Sequence, residues 1–186
     1  MLIEAIRDFE WLNEPDFCLV NDAFEITPSC RTDFWQDVNH NVSRDNGHFF
    51  FVRYLRDFIL TAKWQINPEQ PCGAQCGLMG RFDERNWCKI SLVRNADQSW
   101  AVAATVCRQG ISDLSLVPLA LISDQMSYRL ESYQGSFCLS YSLNSKDYIR
   151  VRLFQIPTSY AEIKAGAYIC NPSEEQFSSM LLEVSR

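Results

Sequence analysis

Two stretches decide the fold: QCGLMGRF at residues 75–82 and WCKISLV at residues 87–93. In each stretch every second residue is apolar or small, as in the series Cys88, Ile90 and Leu92. A period of two is typical of a β-strand, whose side chains point alternately to its two faces. Because only residues 83–86 separate the stretches, we expect two neighbouring strands that turn one apolar face toward a core.

Similar runs recur outward from this pair and are separated by turn residues such as Asn46-Gly47 and Gln134-Gly135. We predict strands over residues 23–27, 48–53, 58–66, 76–82, 87–94, 100–107, 128–133, 137–143, 149–154, 165–170 and 177–184, and short helical turns over residues 2–9 and 159–164. Many short strands with almost no helical periodicity are typical of two packed sheets. The sequence therefore predicts an all-β, two-sheet antiparallel sandwich of the jelly-roll type, with residues 1–186 as a single domain and a barrel as the alternative.

Composition and charge exclude several classes of function. Of the 186 residues, 47% are hydrophobic and 13% aromatic, which is typical of a globular protein rich in sheet. The formal net charge is −6, and nine acidic against two basic residues lie within residues 1–37. We interpret this acidic segment as a solvated edge, or alternatively as a patch that docks a basic partner. Since the chain has no basic stripe and no apolar run near the ~18 residues of a membrane span, we expect neither nucleic-acid nor membrane binding.

The eight cysteines are predicted to be reduced thiols. Residues 1–8, MLIEAIRD, lack the basic and apolar regions of a signal peptide, so we expect a cytoplasmic protein without disulfides. Only Cys72 and Cys76 are closely spaced, and His40 and His48 do not complete a zinc motif. We therefore expect no metal and no cofactor.

The second face of the central pair suggests a binding site. Alternation places Gln75, Met79, Arg81, Trp87 and Lys89 together, on what we expect to be an outer surface. An indole stacks on the C–H face of a sugar while polar groups bond its hydroxyls, so this set predicts carbohydrate binding. Arg81 and Lys89 would also suit a carboxylate or phosphate. The structural alternative is an indole that covers a loop beside solvated charges.

A second group of polar and aromatic residues lies in TDFW at residues 32–35 and RDNGHFFF at residues 44–51. It contributes Trp35, Asp45 and His48 as candidate ligand contacts. His48 has the chemistry of a general base, although a histidine that follows a tight turn is also a common structural hydrogen-bonding group.

The chain shows no motif for catalysis. It has no Glu-x-Asp-x-Glu strand for glycoside hydrolysis, no Gly-x-Ser-x-Gly nucleophile and no glycine-rich phosphate loop. We therefore name no catalytic residue and favour a protein that is not an enzyme.

The same segments resemble a known family. The motifs that carry the resemblance are FEWLNEP at 9–15, TDFW at 32–35, RDNGHFFF at 44–51, QCGLMGR at 75–81, NWCK at 86–89, SDLS at 112–115, YSL at 141–143 and CNP at 170–172. In this order they resemble domain-of-unknown-function family 1349, which includes the regulation-of-enolase proteins. The resemblance implies a concanavalin A-like lectin/glucanase sandwich and no established reaction. Ala74 and Val93 stand where family members commonly have acids, and Leu114 stands where a tryptophan is usual.

The sequence thus predicts a non-catalytic β-sandwich that binds a carbohydrate or a sugar-related metabolite such as a sugar phosphate. The predicted contacts are Trp35, Asp45, His48, Gln75, Arg81, Trp87 and Lys89. Two alternatives remain: a regulatory module that binds a metabolic enzyme, and a glycoside-active enzyme with an unrecognised pair of carboxylates.

Overall fold

The computed structural model describes residues 6–55, 57–157 and 161–186, and it folds them into two antiparallel sheets with no helix. The nine-stranded sheet contains, in spatial order, β1 (Glu10–Leu12), β6 (His48–Tyr54), β15 (Ile163–Cys170), β8 (Gln75–Asp83), β9 (Asn86–Arg94), β10 (Trp100–Arg108), β11 (Ile111–Leu119), β4 (Phe34–Asp37) and β5 (Val42–Asp45). The seven-stranded sheet contains β14 (Ile149–Gln155), β13 (Ser136–Ser142), β12 (Gln125–Tyr133), β7 (Phe58–Gln65), β16 (Ser179–Ser185), β3 (Ala23–Thr27) and β2 (Asp16–Val20). The prediction of an all-β, two-sheet sandwich is confirmed.

The predicted central pair forms the middle of the nine-stranded sheet. Strands β8 and β9 are antiparallel neighbours, with Met79 opposite Lys89 and Leu78 opposite Ile90. Leu78, Ile90 and Leu92 are completely buried in the main core between the two sheets, as alternation predicts. Burial of each such side chain stabilises the fold by about 1.5–3 kcal/mol.

Hydrogen bonds between buried groups connect the two sheets through this core. The indole N–H of Trp64 in β7 donates to the carbonyl of Gly77 in β8 at 3.1 Å. The backbone N–H of Leu92 in β9 donates to the Tyr128 hydroxyl of β12 at 2.9 Å. Burial raises the pKa of Tyr128 well above its ordinary value, so the hydroxyl stays protonated. These bonds give polar atoms in an apolar core their required partners.

The nine-stranded sheet curls over its own outer face. Strand β4 follows β11 in the sheet, with Ile111 opposite Asp37, and the β4–β5 hairpin lies across the sheet. Phe34 of β4 thereby lies with its ring 6.3 Å from that of Tyr168 in β15. The result is a second core, separate from the main one, formed by Phe34, Phe49, Phe51, Met79, Trp87, Cys107, Tyr168 and Cys170.

Several local predictions differ from the structure. Strands β1, β2, β4, β5 and β11 are additional to those predicted, because the first four are short and β11 carries Pro118 and two serines among its apolar residues. Of the turn predicted over residues 2–9, residues 6–8 form a non-helical turn and residues 2–5 lie outside the described residues. Of the turn predicted over 159–164, residues 159 and 160 also lie outside them, while Ile163 and Lys164 begin β15.

The eight cysteines are unpaired, and five of them are buried. Across residues 6–55, 57–157 and 161–186, no group of three or more His, Cys, Asp or Glu side chains is arranged to hold a metal ion. The same residues contain no helix that is long and apolar enough to cross a membrane.

Candidate functional site

The predicted binding residues of β8 and β9 do share one face of the sheet, but that face is not open. Trp87 opposes Arg81 across the pair, and Lys89 opposes Met79. Arg81, Trp87 and Lys89 are all buried, and Gln75 alone among the predicted contacts on these strands keeps partial exposure. The prediction of an outer surface is therefore wrong for these three side chains, because the β4–β5 hairpin covers them.

Trp87 is a core residue. Its side chain is 0% exposed and belongs to the second core, and its indole N–H donates to the carbonyl of Glu84 at 3.2 Å. An indole without exposed surface offers no face for a sugar ring to stack on.

Arg81 and Asp45 form the ion pair that holds β5 onto the sheet. The two guanidinium nitrogens of Arg81 donate to the two carboxylate oxygens of Asp45 at 2.5 and 2.7 Å. The guanidinium carbon also lies 5.8 Å from the centre of the Phe34 ring. Bidentate geometry of this kind fixes orientation as well as charge. The predicted contacts Arg81 and Asp45 are therefore each other's partners.

Lys89 binds the beginning of β4. Its ammonium group donates to the carbonyl of Phe34 at 2.8 Å and to the carboxylate of Asp33 at 3.2 Å. It also lies 5.5 Å from the ring centres of both Trp87 and Tyr168, where the aromatic faces favour a cation. A charge buried to this degree needs such partners, so Lys89 has a structural role in closing the hairpin.

His48 is buried away from these residues. The backbone N–H of Ser29 donates to His48 Nε2 at 2.9 Å, so the proton of the neutral ring is on Nδ1, which donates to the carbonyl of Asn13 at 2.5 Å. Burial lowers the pKa of His48 and favours this neutral form. Both ring nitrogens therefore have protein partners. His48 is a structural hydrogen-bonding group and not a free general base.

Trp35 and Gln75, the two remaining predicted contacts, lie on different strands, β4 and β8. Trp35 is half-buried in β4 and alternates with the buried Phe34 and Gln36, so it points away from the second core. Gln75 accepts a hydrogen bond from the Tyr168 hydroxyl at 3.0 Å and donates to the carbonyl of Gly73 at 3.2 Å. The structure therefore brings Arg81, Trp87 and Lys89 together beneath the hairpin, where Asp45 of β5 pairs with Arg81, and it separates Trp35 and His48 from them.

Part of the curved face lies beyond the hairpin and carries two exposed leucines. We call this part the apolar trough and define it as Val93, Ala101, Ala103, Leu114 and Leu116. Ala101 pairs with Val93 in β9, and Ala103 pairs with Leu116 in β11. The alanines are buried, whereas Leu114 is 45% and Leu116 49% exposed. The accessible surface of the trough is therefore mainly that of the two leucines.

The sequence pattern does not predict this trough, because it does not predict β11 as a strand. Two of the trough residues nevertheless depart from the pattern of the resembled family. Val93 and Leu114 stand where members of the resembled family commonly have a glutamate and a tryptophan. The period-two spacing of Leu114 and Leu116 is the signal that would have placed both leucines on one strand face.

Comparison with known proteins places this fold in a family. The family described as "Protein of unknown function (DUF1349)" matches residues 11–185. The chain belongs to this family. It is 27% identical over 164 residues to "Regulation of enolase protein 1" of Saccharomyces cerevisiae, covering 87% of this chain and 80% of that protein.

Solved structures extend the likeness in fold. A functionally unknown protein from Saccharomyces cerevisiae superposes with a TM-score of 0.87 and 24% identity, covering 97% of this chain and 96% of that one. The GH43 BlXynB protein from Bacillus licheniformis superposes with a TM-score of 0.72 and 12% identity, covering 95% of this chain and 36% of that one. A legume lectin-like domain from Entamoeba histolytica superposes with a TM-score of 0.63 and 10% identity, covering 98% of this chain and 90% of that one. At these identities the matches show a shared two-sheet β-sandwich fold and no more.

Proposed function

We propose that the protein is a non-enzymatic recognition module that binds a metabolic enzyme of the enolase type through the apolar trough. The observation that carries the proposal is the pair Leu114 and Leu116, which stand about half exposed side by side on a curved sheet face. The name of the Saccharomyces cerevisiae relative, which refers to regulation of enolase, supports the choice of partner. The proposal keeps the cytoplasmic location predicted from the sequence.

The chemistry of the trough favours an uncharged, apolar segment of a protein as its occupant. The nearby cations Arg81 and Lys89 are buried and paired with Asp45 and Asp33 beneath the hairpin. The trough residues are valine, alanine and leucine, and the same sheet face also carries the buried Ser91 and Thr105. A large apolar side chain of a partner would pack against Leu114 and Leu116, where contact removes apolar surface from water.

The same contacts argue against a sugar or a glycoside at this face. Carbohydrate recognition needs an exposed aromatic plane and free polar groups, whereas Trp87 is buried and both ends of the Gln75 amide have protein partners. Glycoside hydrolysis needs two available carboxylates, whereas Asp33 and Asp45 each hold a buried cation. The protein-binding alternative is therefore the one that the curved face supports better.

Calorimetric titration with purified enolase tests the proposal. We expect the wild-type chain to bind and the double variant Leu114→Asp/Leu116→Asp to bind about 10- to 100-fold more weakly, since complete burial of two half-exposed leucines contributes about 1.5–3 kcal/mol. Leu121→Asp is the matched control, because Leu121 is 80% exposed and lies outside the trough. Failure of the wild-type chain to bind enolase, or equal binding by the trough variant, would overturn the proposal.

A further inference from the structure

A polar cleft lies on the opposite side of the molecule, on the outer face of the seven-stranded sheet. Its volume is about 280 Å³, and apart from Ala62 its lining is polar, charged or aromatic: Thr61, Lys63, Ser127, Arg129, Ser145, Tyr148, Glu183 and Ser185. The strand register places these side chains in two rows across β12, β7 and β16. One row is Arg129, Thr61 and Ser185, and the other is Ser127, Lys63 and Glu183.

The cations of this cleft have no carboxylate partner. Neither Lys63 nor Arg129 belongs to any ion pair among the described residues, in contrast to Arg81 and Lys89 on the covered face of the other sheet. Glu183 is the one acid among the residues that line the cleft, and it is exposed at the rim. The lining therefore carries two positive charges and one negative charge.

Two buried polar atoms beside the cleft have no partner. They are Nε of Arg129 and the hydroxyl oxygen of Ser140, which stand opposite each other across β12 and β13. Buried polar atoms in proteins almost always form hydrogen bonds, so each exception calls for an explanation, and an acceptor oxygen of a ligand would supply one for the Arg129 guanidinium. The Arg129 guanidinium carbon lies 3.6 Å from the centre of the Tyr148 ring, so stacking holds the plane of the guanidinium group.

Hydroxyl groups complete the donor set. The Thr61 hydroxyl forms a hydrogen bond with that of Ser185, and the Ser127 hydroxyl with that of Ser145 at 2.8 Å. Each pair uses one of its two O–H groups internally, so one further O–H in each pair remains able to donate. Two cations, one of them pre-oriented, together with two hydroxyl donors match the several oxygens of a phosphate group better than the two of a carboxylate.

From this geometry we infer that the polar cleft binds the phosphate group of a small phosphomonoester. The phosphate accepts hydrogen bonds from Lys63, Arg129 and the hydroxyl pairs. The rest of the molecule occupies an adjoining hollow of about 310 Å³ that shares Lys63 and Ser145 and adds Gln125, Asn144 and one acid, Asp124, to its lining. The two volumes lie near the lower limit of the ~300–1,000 Å³ usual for ligand sites, which suits a small metabolite. This inference is independent of the proposed enolase contact, because the two surfaces lie on different sheets.

Thermal shift and calorimetric titration of the full chain test this inference. The probes are inorganic phosphate, glucose 6-phosphate, glucose and acetate. We expect the two phosphates to raise the melting temperature through mass action, and glucose and acetate to leave it unchanged. Phosphate alone would identify a site for the free ion, and stronger binding of glucose 6-phosphate would identify an ester site. Both results support a phosphate site. No shift with either phosphate, or equal shifts with glucose or acetate, would overturn it.

Variants distinguish phosphate binding in the cleft from a general effect of the net charge. Lys63→Gln should weaken phosphate binding about 10-fold or more, because a charge-assisted hydrogen bond is lost. Glu183→Gln should strengthen binding, because it removes the acid that opposes Lys63 in the register. Lys146→Gln is the matched control, since Lys146 is an exposed lysine near the cleft that does not line it. Far-ultraviolet circular dichroism establishes that each variant is folded, and wild-type affinity in folded Lys63→Gln would contradict the inference.

Discussion

Substitution of Trp87 by alanine is the sharpest test of the covered face. The side chain is 0% exposed and packs within the second core, so its removal leaves a cavity. Replacement of a buried tryptophan by alanine costs about 3–5 kcal/mol, a range that includes the loss of its hydrogen bond to Glu84. For a chain of this size, a loss of about 4 kcal/mol lowers the melting temperature by about 8–16 °C. An indole on an open surface would cost only about 0.5 kcal/mol.

Urea unfolding followed by circular dichroism measures this cost. Trp35→Ala is the matched comparison, because Trp35 is only half-buried and points away from the second core, so we expect about 1–2 kcal/mol for it. Trp87→Phe keeps most of the volume and should cost about 1–2 kcal/mol, which preserves the test if the alanine variant does not fold. Equal costs for the two alanine variants, or less than about 1 kcal/mol for Trp87→Ala, would refute the burial argument.

Three further predictions concern the hairpin and the strands beneath it. Asp45→Asn should lower the free energy of unfolding by about 2–3 kcal/mol, because it leaves the Arg81 guanidinium buried without its anion. A double-mutant cycle with Arg81→Met should show coupling between the two sites. Gly77→Ala should destabilise the fold strongly in urea unfolding, because an added Cβ would lie 1.9 Å from the carbonyl oxygen of Ile90 on β9; wild-type stability would contradict this contact. His48 has a lowered pKa in the folded chain, so the unfolded chain binds the proton more readily and stability should fall as the pH drops below about 6.5. Unfolding measured at several pH values should show a shallower slope for His48→Gln, and an unchanged slope would contradict burial of a neutral ring.

The Gly77 contact shows what the missing side chain does on this strand face. A glycine in a strand can let a ligand or another segment of backbone approach the sheet closely. In the structure, the space beside Gly77 is occupied by the backbone of β9, and its carbonyl accepts the hydrogen bond from Trp64. The absence of a side chain therefore serves contact within the protein rather than access from outside.

The trough and the cleft were not predictable to the same extent. The trough contains Val93 and Leu114, two residues that comparison with the family pattern had already singled out. The cleft depends on Lys63, Arg129 and Glu183, which lie on three strands and are brought together only by the order β12-β7-β16. No motif links them along the chain, and each alone is an ordinary charged residue on an exposed strand face.

Alternation along the chain determined the strands, the pairing of β8 with β9 and the apolar set that faces the main core. These properties depend on the pleat, whose period of two is local and is therefore visible in a stretch of eight residues. Tertiary structure alone decided whether the second face of that pair is open or covered. The contacts that close it join Arg81 to Asp45 and Lys89 to Asp33, which are 36 and 56 residues apart in the chain. Because strand periodicity describes only the direction in which a side chain points, it cannot show that a distant hairpin will lie across its path.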